Sequence, residues 1–338
     1  MATRRWLLAG GLGWLAGCTA ARQRTGLNVH LLKNSLPPVW LRRFQRRHTL
    51  HIRSHDQLPD LYQQLSRSHP PDVVGLGLAW VSEARAQQRL SPLPTPLRWS
   101  ELPAAWRAIT QSHGQVDWLP YRWGTTVLAY RRDLLPWQPR DWSDLWRPEL
   151  RQRVSTVANF RELLGITCKS LGLSINPPLP WPAQELQERL AALHRQVRLY
   201  SDQYYIQPLI LGDVWVAVGW SSDLIPVSRR YPQITVVTPT SGSAIWADGW
   251  VVPAGQPISQ AVRDWLHFAW EQEQVEALTT QGIAFSPLAQ PLGAHEFWLP
   301  MDAPTRQAYQ SLQQWWLAQP LAARRYDQYT DHWPTRLL

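Results

Sequence analysis

Between Leu27 and Leu90, short apolar runs alternate with amphipathic ones: "LNVHLL", the run from Pro37 to His48, "TLHIRSH", "LPDLYQQLSRS", "PPDVVGLGLAWV" and "VSEARAQQRL". The first, third and fifth have the length and composition of strands, and the others the spacing of helices, the earliest with proline near its first turn. Strands and helices in regular succession leave few architectures open. Each crossover returns the chain to the same side of the sheet, so the expectation is an α/β fold with a mostly parallel sheet.

The pattern continues through the chain. "VDWLPYRWGTTVLAYRRDLL" reads as strand, and "DWSDLWRPEL" after it as a helix capped by Asp141 or Ser143. Then come the strand "QRVSTVA", a helix from about Phe160 to Leu173, a proline-rich break "NPPLPWP" and the helix "AQELQERLAALHRQV". "RLYSD" and "DVWVAVGW" are strands flanking a short helix near Gln207 to Leu211; "QITVVTP" and "IWADGWVVP" are strands; "SQAVRDWLHFAWEQEQVEALT" reads as one amphipathic helix. There is no internal repeat and no long linker. With 338 residues, 44% hydrophobic and 17% charged, the chain is large enough for two lobes with cores of their own.

The first residues are set apart from the fold. "TRRWLLAGGLGWLAGC" has two arginines, an apolar stretch too short to span a bilayer, and small residues before Cys18. That is the form of an export signal over residues 1–17, and "LAGC" resembles a bacterial lipobox, in which Cys18 is lipidated and anchors the chain to a membrane. Residues 18–26 then form a tether, and Cys168, in an apolar helical pattern, is left without a disulfide partner. The formal net charge is +9, but the arginines are scattered in pairs and no nucleic-acid motif is present, so a nucleic-acid partner is not expected.

No nucleophile elbow, phosphate loop or metal signature occurs, so neither catalysis, a cofactor nor a metal is expected. His48, His51, His55 and Asp56 cluster on a strand-like run that reads as a solvated edge, and Tyr204-Tyr205 reads as packing. One stretch stands out. In "GSAIWADGWVVP", Trp246, Asp248 and Trp250 fall at every second position, so in a strand all three share one face. Taken alone this fits an edge strand with indoles in the core and Asp248 in water; the sharper alternative is a cation site in which a carboxylate and indole faces hold an ammonium group.

Several motifs together resemble the periplasmic polyamine-binding proteins, the spermidine- and putrescine-binding subunits of ABC importers. They are "PYRWGTTVLAYRRDLL", "WSDLWRPELRQRVSTVANFRELLGITCKSLGLSINP", "LILGDVWVAVGWSSD" and "ITVVTPTSGSAIWADGWVVPAG", and the similarity covers roughly residues 27 to 290. It implies a two-lobed periplasmic-binding-protein fold of type II, with the ligand in the cleft and two chain crossings, near "TTVLAYRR" and "ITVVTP". Lobe 1 would be residues 27–124 and 240–300, lobe 2 residues 125–239, and 301–338 a C-terminal helical segment.

Carried over by position, Trp246 and Asp248 match the family's late Trp and ammonium-binding Asp, Trp220 the indole after the preceding strand, and Glu162 an acid of the acidic loop. Departures are equally plain. Leu32, Lys33, Asn34 and Ser35 stand where the family has an indole and an acid, Asn159 stands for an Asp, and Gly77 to Ala79 with Trp80 replace a polar loop. Lys33, Asn34, Asn159 and Trp80 are therefore expected at the ligand as well, and the ligand is expected to be a polyamine or an amine with fewer charges, such as a zwitterion, whose carboxylate Lys33 or the loop at 240–243 would take. The implied partner is an ABC permease. Two other readings stand beside this one: a sugar-binding or carbohydrate-active protein using some of the 22 Trp as platforms, and a binding-protein fold serving as a sensor without transport.

Overall fold

The computed structural model describes residues 26–281 and 284–319. Cys18, the expected signal peptide and most of the tether lie outside them, as do residues 320–338. The chain begins as its alternation requires: β1 (Leu27–Leu32), α1 (Pro38–Gln45), β2 (Leu50–His55), α2 (Leu58–Gln64), β3 (Val73–Gly77) and α3 (Leu78–Ala86). β1 pairs in parallel with β2 and β3. In β1 the residues Leu27, Val29 and Leu31 are buried while Asn28, His30 and Leu32 face the other side, the period of two that fixes a strand's register. β3 is buried at all five positions, as a parallel strand covered on both faces should be.

After α4 (Ala104–Thr110) and a small hairpin, β4 (Gln111–Ser112) with β5 (Gln115–Val116), comes β6 (Leu119–Arg131). Its 13 residues extend about 40 Å at about 3.3 Å per residue, and all but the last are buried. β7 (Val154–Thr156), α5 (Phe160–Ser170), α6 (Ala183–Gln196), β8 (Val197–Tyr200), α7 (Gln207–Leu211), β9 (Val216–Trp220), α8 (Ser221–Arg230) and β10 (Ile234–Val237) follow. β11 (Ala244–Val251), α9 (Gln260–Phe268), α10 (Gln272–Thr280), β12 (Glu296–Phe297) and α11 (Ala303–Leu317) complete the described chain.

Among the described residues, one sheet runs in the order β2-β1-β3-β11-β6-β9-β7-β8, with β10 also on β6 and β12 on β11. β6 is common to both halves. Its first part pairs antiparallel with β11, from Thr125 opposite Ile245 to Leu119 opposite Trp250, and its second part with β9, from Thr126 opposite Trp220 to Tyr130 opposite Val216. The buried side chains divide at the same point. Trp123 belongs to a core with Val29, Leu76, Trp106, Trp250 and Trp265, whereas Leu128 packs with Trp142, Phe160, Leu164 and Leu193, and Val127 with Tyr205 and Leu224. The first core defines lobe 1 and the other two lobe 2.

Two expectations are corrected, and one feature is added. "DWSDLWRPEL" forms two 3-10 turns, Trp142–Trp146 and Pro148–Leu150, because Pro148 disfavours helical backbone at Arg147 and supplies no amide donor. The late amphipathic run is split into α9 and α10, and the break turns Trp270 inward, where its indole N–H donates to the Pro120 carbonyl at 2.7 Å. The chain also passes between the lobes a third time: Phe297 packs on Trp106 in lobe 1, Trp298 lies against Gly165 in lobe 2, and Tyr309 and Trp316 of α11 pack on Phe160.

Candidate functional site

In open α/β sheets, ligands bind in the crevice beyond the carboxyl ends of the parallel strands. In lobe 1 that edge is the end of β3, where Gly77 lies opposite Asp248 of β11; in lobe 2 it is the end of β7, β8 and β9, where Ala158 and Asp202 follow their strands and Trp220 ends its own. Both edges converge on the middle of β6, residues Arg122 to Thr126. Gly124 shows how tightly. A Cβ there would meet the Trp246 ring from lobe 1 at 2.3 Å and Ser221 Oγ from lobe 2 at 2.5 Å, so only glycine admits both.

Trp246, Asp248 and Trp250 do share a face, but the face runs from core to crevice. Trp250 is fully buried, stacked on Tyr121 at 4.2 Å and edge-on to Trp265, while Trp246 is half-buried. Asp248 lies between them and is not in water. Arg122, directly opposite on β6, donates from Nε to Asp248 Oδ2 at 2.8 Å, its Nη2 forms an ion pair with the same oxygen at 2.6 Å, and the two side chains are 7% and 9% exposed. A β-bulge makes this possible: the register jumps from Asp248–Arg122 to Gly249–Pro120, leaving Tyr121 unpaired. Neighbouring strand residues normally face opposite sides, and the extra residue lets Tyr121 and Arg122 both reach the Asp248 face. The Trp246 ring covers the guanidinium at 5.3 Å, and the Trp246 indole N–H is buried with no hydrogen-bond partner among the described residues. Burial works against the charge of Arg122, but Asp248 and then Tyr121 outweigh it and hold its pKa above the ordinary value.

The lobe 2 wall is built differently. The Tyr205 ring lies over Gly219, where no side chain could fit beneath it, and its hydroxyl donates to Asp223 Oδ2 at 2.9 Å while accepting from the Trp220 amide at 3.2 Å. Asp223 Oδ1 also accepts from Ser222 Oγ, and Asp202 Oδ1 accepts from the Ala158 amide at 2.9 Å. Among the described residues, neither acid has a cationic side chain within ion-pair distance. Asp202 is exposed by surface area and Asp223 half-exposed, yet the protein around them desolvates both, as the walls of a cleft do. Burial pushes the carboxyl pKa of each above its ordinary value, against the hydrogen bond from Ala158 for Asp202 and, for Asp223, against those from Tyr205 and Ser222 and the charge of Arg122.

The other expected residues fall elsewhere. Trp220 ends β9 opposite Thr126, half-buried at the junction. Glu162 is buried in lobe 2, where Oε2 accepts from Thr126 Oγ1 at 2.6 Å and Oε1 from the Trp298 indole at 3.1 Å; burial raises its pKa despite these bonds. Its acceptors are thus met by the protein, with Trp298 from the third crossing beside it. Asn159 caps α5, accepting from the amides of Arg161 and Glu162. Trp80 is buried in lobe 1 with its ring 4.9 Å from Tyr62. Lys33 and Asn34 form an exposed turn, Asn34 with φ 59°, and Lys33 pairs with Asp56 at 3.5 Å. In the histidine cluster, His48 meets Asp264 and His55 meets His30 at 3.1 Å, and no group of metal ligands forms among the described residues. A groove of about 570 Å³ on that outer face, lined by Asn28, His30, His51, Arg53, Gln64 and Arg67 among others, is basic and therefore unsuited to an amine.

Sequence reading missed Arg122, Asp202, Tyr205 and Asp223. The two aspartates did carry a signal, since "RLYSD" and "VGWSSD" each place an acid just beyond a buried strand end. Arg122 carried none, because its partner lies 126 residues along the chain.

The family model described as bacterial extracellular solute-binding protein matches residues 68–300. A putrescine/cadaverine-binding protein of Pseudomonas aeruginosa is 28% identical over 176 residues, 48% of this chain and 50% of that one. The spermidine/putrescine-binding periplasmic protein of Escherichia coli is 24% identical over 194 residues, 55% of this chain and 56% of the relative. The chain thus spans about half the length of the curated relatives it matches. Among solved structures, the spermidine/putrescine ABC transporter substrate-binding protein PotD of Streptococcus pneumoniae superposes with a TM-score of 0.76 over 86% of this chain and 98% of that one, at 18% identity. A lipoprotein of Treponema pallidum superposes with a TM-score of 0.70 over the same shares, also at 18% identity. These likenesses show the two-lobed binding-protein fold.

Proposed function

Because the chain belongs to the bacterial extracellular solute-binding protein family, we propose that it is the exported solute receptor of an ABC importer, tethered to a membrane through Cys18, and that it binds a small amine between its lobes. One observation carries the amine reading: Asp202 and Asp223 stand at the cleft edge of lobe 2, desolvated and, among the described residues, with no cationic side chain within ion-pair distance, beside a junction that also holds Trp220 and Trp246. Such carboxylates gain from an ammonium ion, and indole faces beside them suit its methylenes. The curated relatives named for putrescine, cadaverine and spermidine support the same class. Lobe closure around the solute, hinged where β6 crosses, would present the closed form to a permease.

Trp142, Trp265 and Trp270 are core residues and offer no platform to a sugar. The sensor reading keeps one observation in its favour: Asp248 and Glu162, the two acids the resemblance marks, are both engaged by the protein itself. Thermal melting with putrescine, spermidine, amino acids and sugars separates them. A ligand at about 100 times its Kd stabilises by about 2.7 kcal/mol, so a rise in Tm with an amine is the expected result. No shift with any of these solutes would favour the sensor.

A further inference from the structure

The geometry points to Arg122 as a built-in substitute for a ligand ammonium at Asp248, with the solute's own amine received on the opposite wall by Asp202 and Asp223. This rests on reading the cleft as an amine site. An ammonium site needs a carboxylate, a cation and an aromatic face, and at Asp248 all three are present within the protein: Asp248 Oδ2 accepts from Arg122 Nε and is ion-paired with Nη2, and Trp246 covers the guanidinium. A ligand ammonium at Asp248 would meet a carboxylate whose charge is already neutralised by a covalently tethered cation.

Charge is open on the other side. Asp202 and Asp223 accept from an amide, a phenol and a hydroxyl, all neutral; Arg122 acts on Asp223 only from beyond ion-pair distance, and Tyr205, three residues after Asp202, is bonded to Asp223. Glu162 is buried beneath Thr126 and Trp298, which bond to its two oxygens, whereas Asp202 is exposed and Asp223 half-exposed. The cleft therefore offers two open carboxylates, and a third cationic centre on a solute meets Arg122 where a carboxylate would be needed. The solute class that follows is a small amine with one or two cationic centres, in preference to a triamine. Arg122 is the residue that sets this limit.

Titration calorimetry on the full chain tests the assignment with putrescine as the diamine and spermidine as the triamine. Removing both partners of a buried pair leaves no uncompensated charge, so the double variant Arg122→Gln/Asp248→Asn keeps the fold even if a single variant does not. It is expected to bind putrescine as the unaltered chain does. Asp202→Asn and Asp223→Asn are each expected to weaken putrescine about tenfold, the loss of one charge-assisted hydrogen bond. Arg122→Gln alone, which frees Asp248, is expected to gain about tenfold for spermidine relative to putrescine by the same kind of bond. Loss of putrescine binding in the double variant, or unchanged binding in both Asp202→Asn and Asp223→Asn, would overturn the assignment while leaving an amine receptor. Absence of binding by either amine in the unaltered chain and in Arg122→Gln would remove the amine reading and the assignment with it.

Discussion

On the lobe 1 wall of the cleft, Asp248 is bonded to and ion-paired with a guanidinium directly across the strand pair, whereas on the lobe 2 wall Asp202 and Asp223 receive an amide, a phenol and a hydroxyl. The first wall is neutral as folded; the second carries carboxylates whose desolvation remains uncompensated. An acid matched to a relative's ligand-binding position thus says little until its neighbours are known. The residue type can persist while a cation supplied 126 residues away takes over its partner's role.

The contrast can be broken most forcefully at its closed end. Asp248→Asn strands the Arg122 charge in the interior and is expected to cost about 3–5 kcal/mol in urea unfolding, against less than about 1 kcal/mol for Lys33→Ala, which removes an exposed pair with Asp56. Equal small losses would mean that Arg122 finds solvent. Next comes the junction itself. Gly124→Ala pushes a methyl group into the Trp246 ring and Ser221, with an expected cost of about 2 kcal/mol and weaker amine binding, since the lobes can no longer meet there.

Smaller effects sharpen the open wall. Tyr205→Phe removes a donor from Asp223 and the acceptor of the Trp220 amide, for about 1 kcal/mol in stability, and leaves Asp223 still harder to ionise. The pH dependence of amine binding follows from the raised carboxyl pKa values of Asp202 and Asp223. Raised values mean that these groups hold protons in the free protein above the ordinary carboxylate range, so they favour the free form at low pH and that contribution is lost as pH rises through the folded values. An amine must displace those protons. Its affinity should therefore rise with pH and level off once both groups are ionised, with a flatter profile in Asp202→Asn, measurable by calorimetry at several pH values.

Much of the fold was legible before the structure. The alternation of apolar and amphipathic runs located β1, β2, β3, β9 and β11 and the helices between them, because period and length are local properties. The turns at Trp142–Leu150 and the break before α10 were not, since a proline's local effect and the inward turn of Trp270 toward Pro120 outweigh propensity. The site divides in the same way. Trp246, Asp248 and Trp220 could be placed near the junction from their motifs. The pairing of Asp248 with Arg122 depends on a bulge at Tyr121 and a long-range register that no local pattern encodes. Asn159 and Trp80 were drawn toward the ligand by position alone; the structure gives them a helix cap and a core contact.

A crystal structure of the full chain with putrescine would test the division of the two walls most directly. The expected result places the ammonium groups within hydrogen-bond distance of Asp202 and Asp223, with Arg122 still bonded to Asp248. An ammonium group on Asp248, with Arg122 turned away from it, would contradict that division.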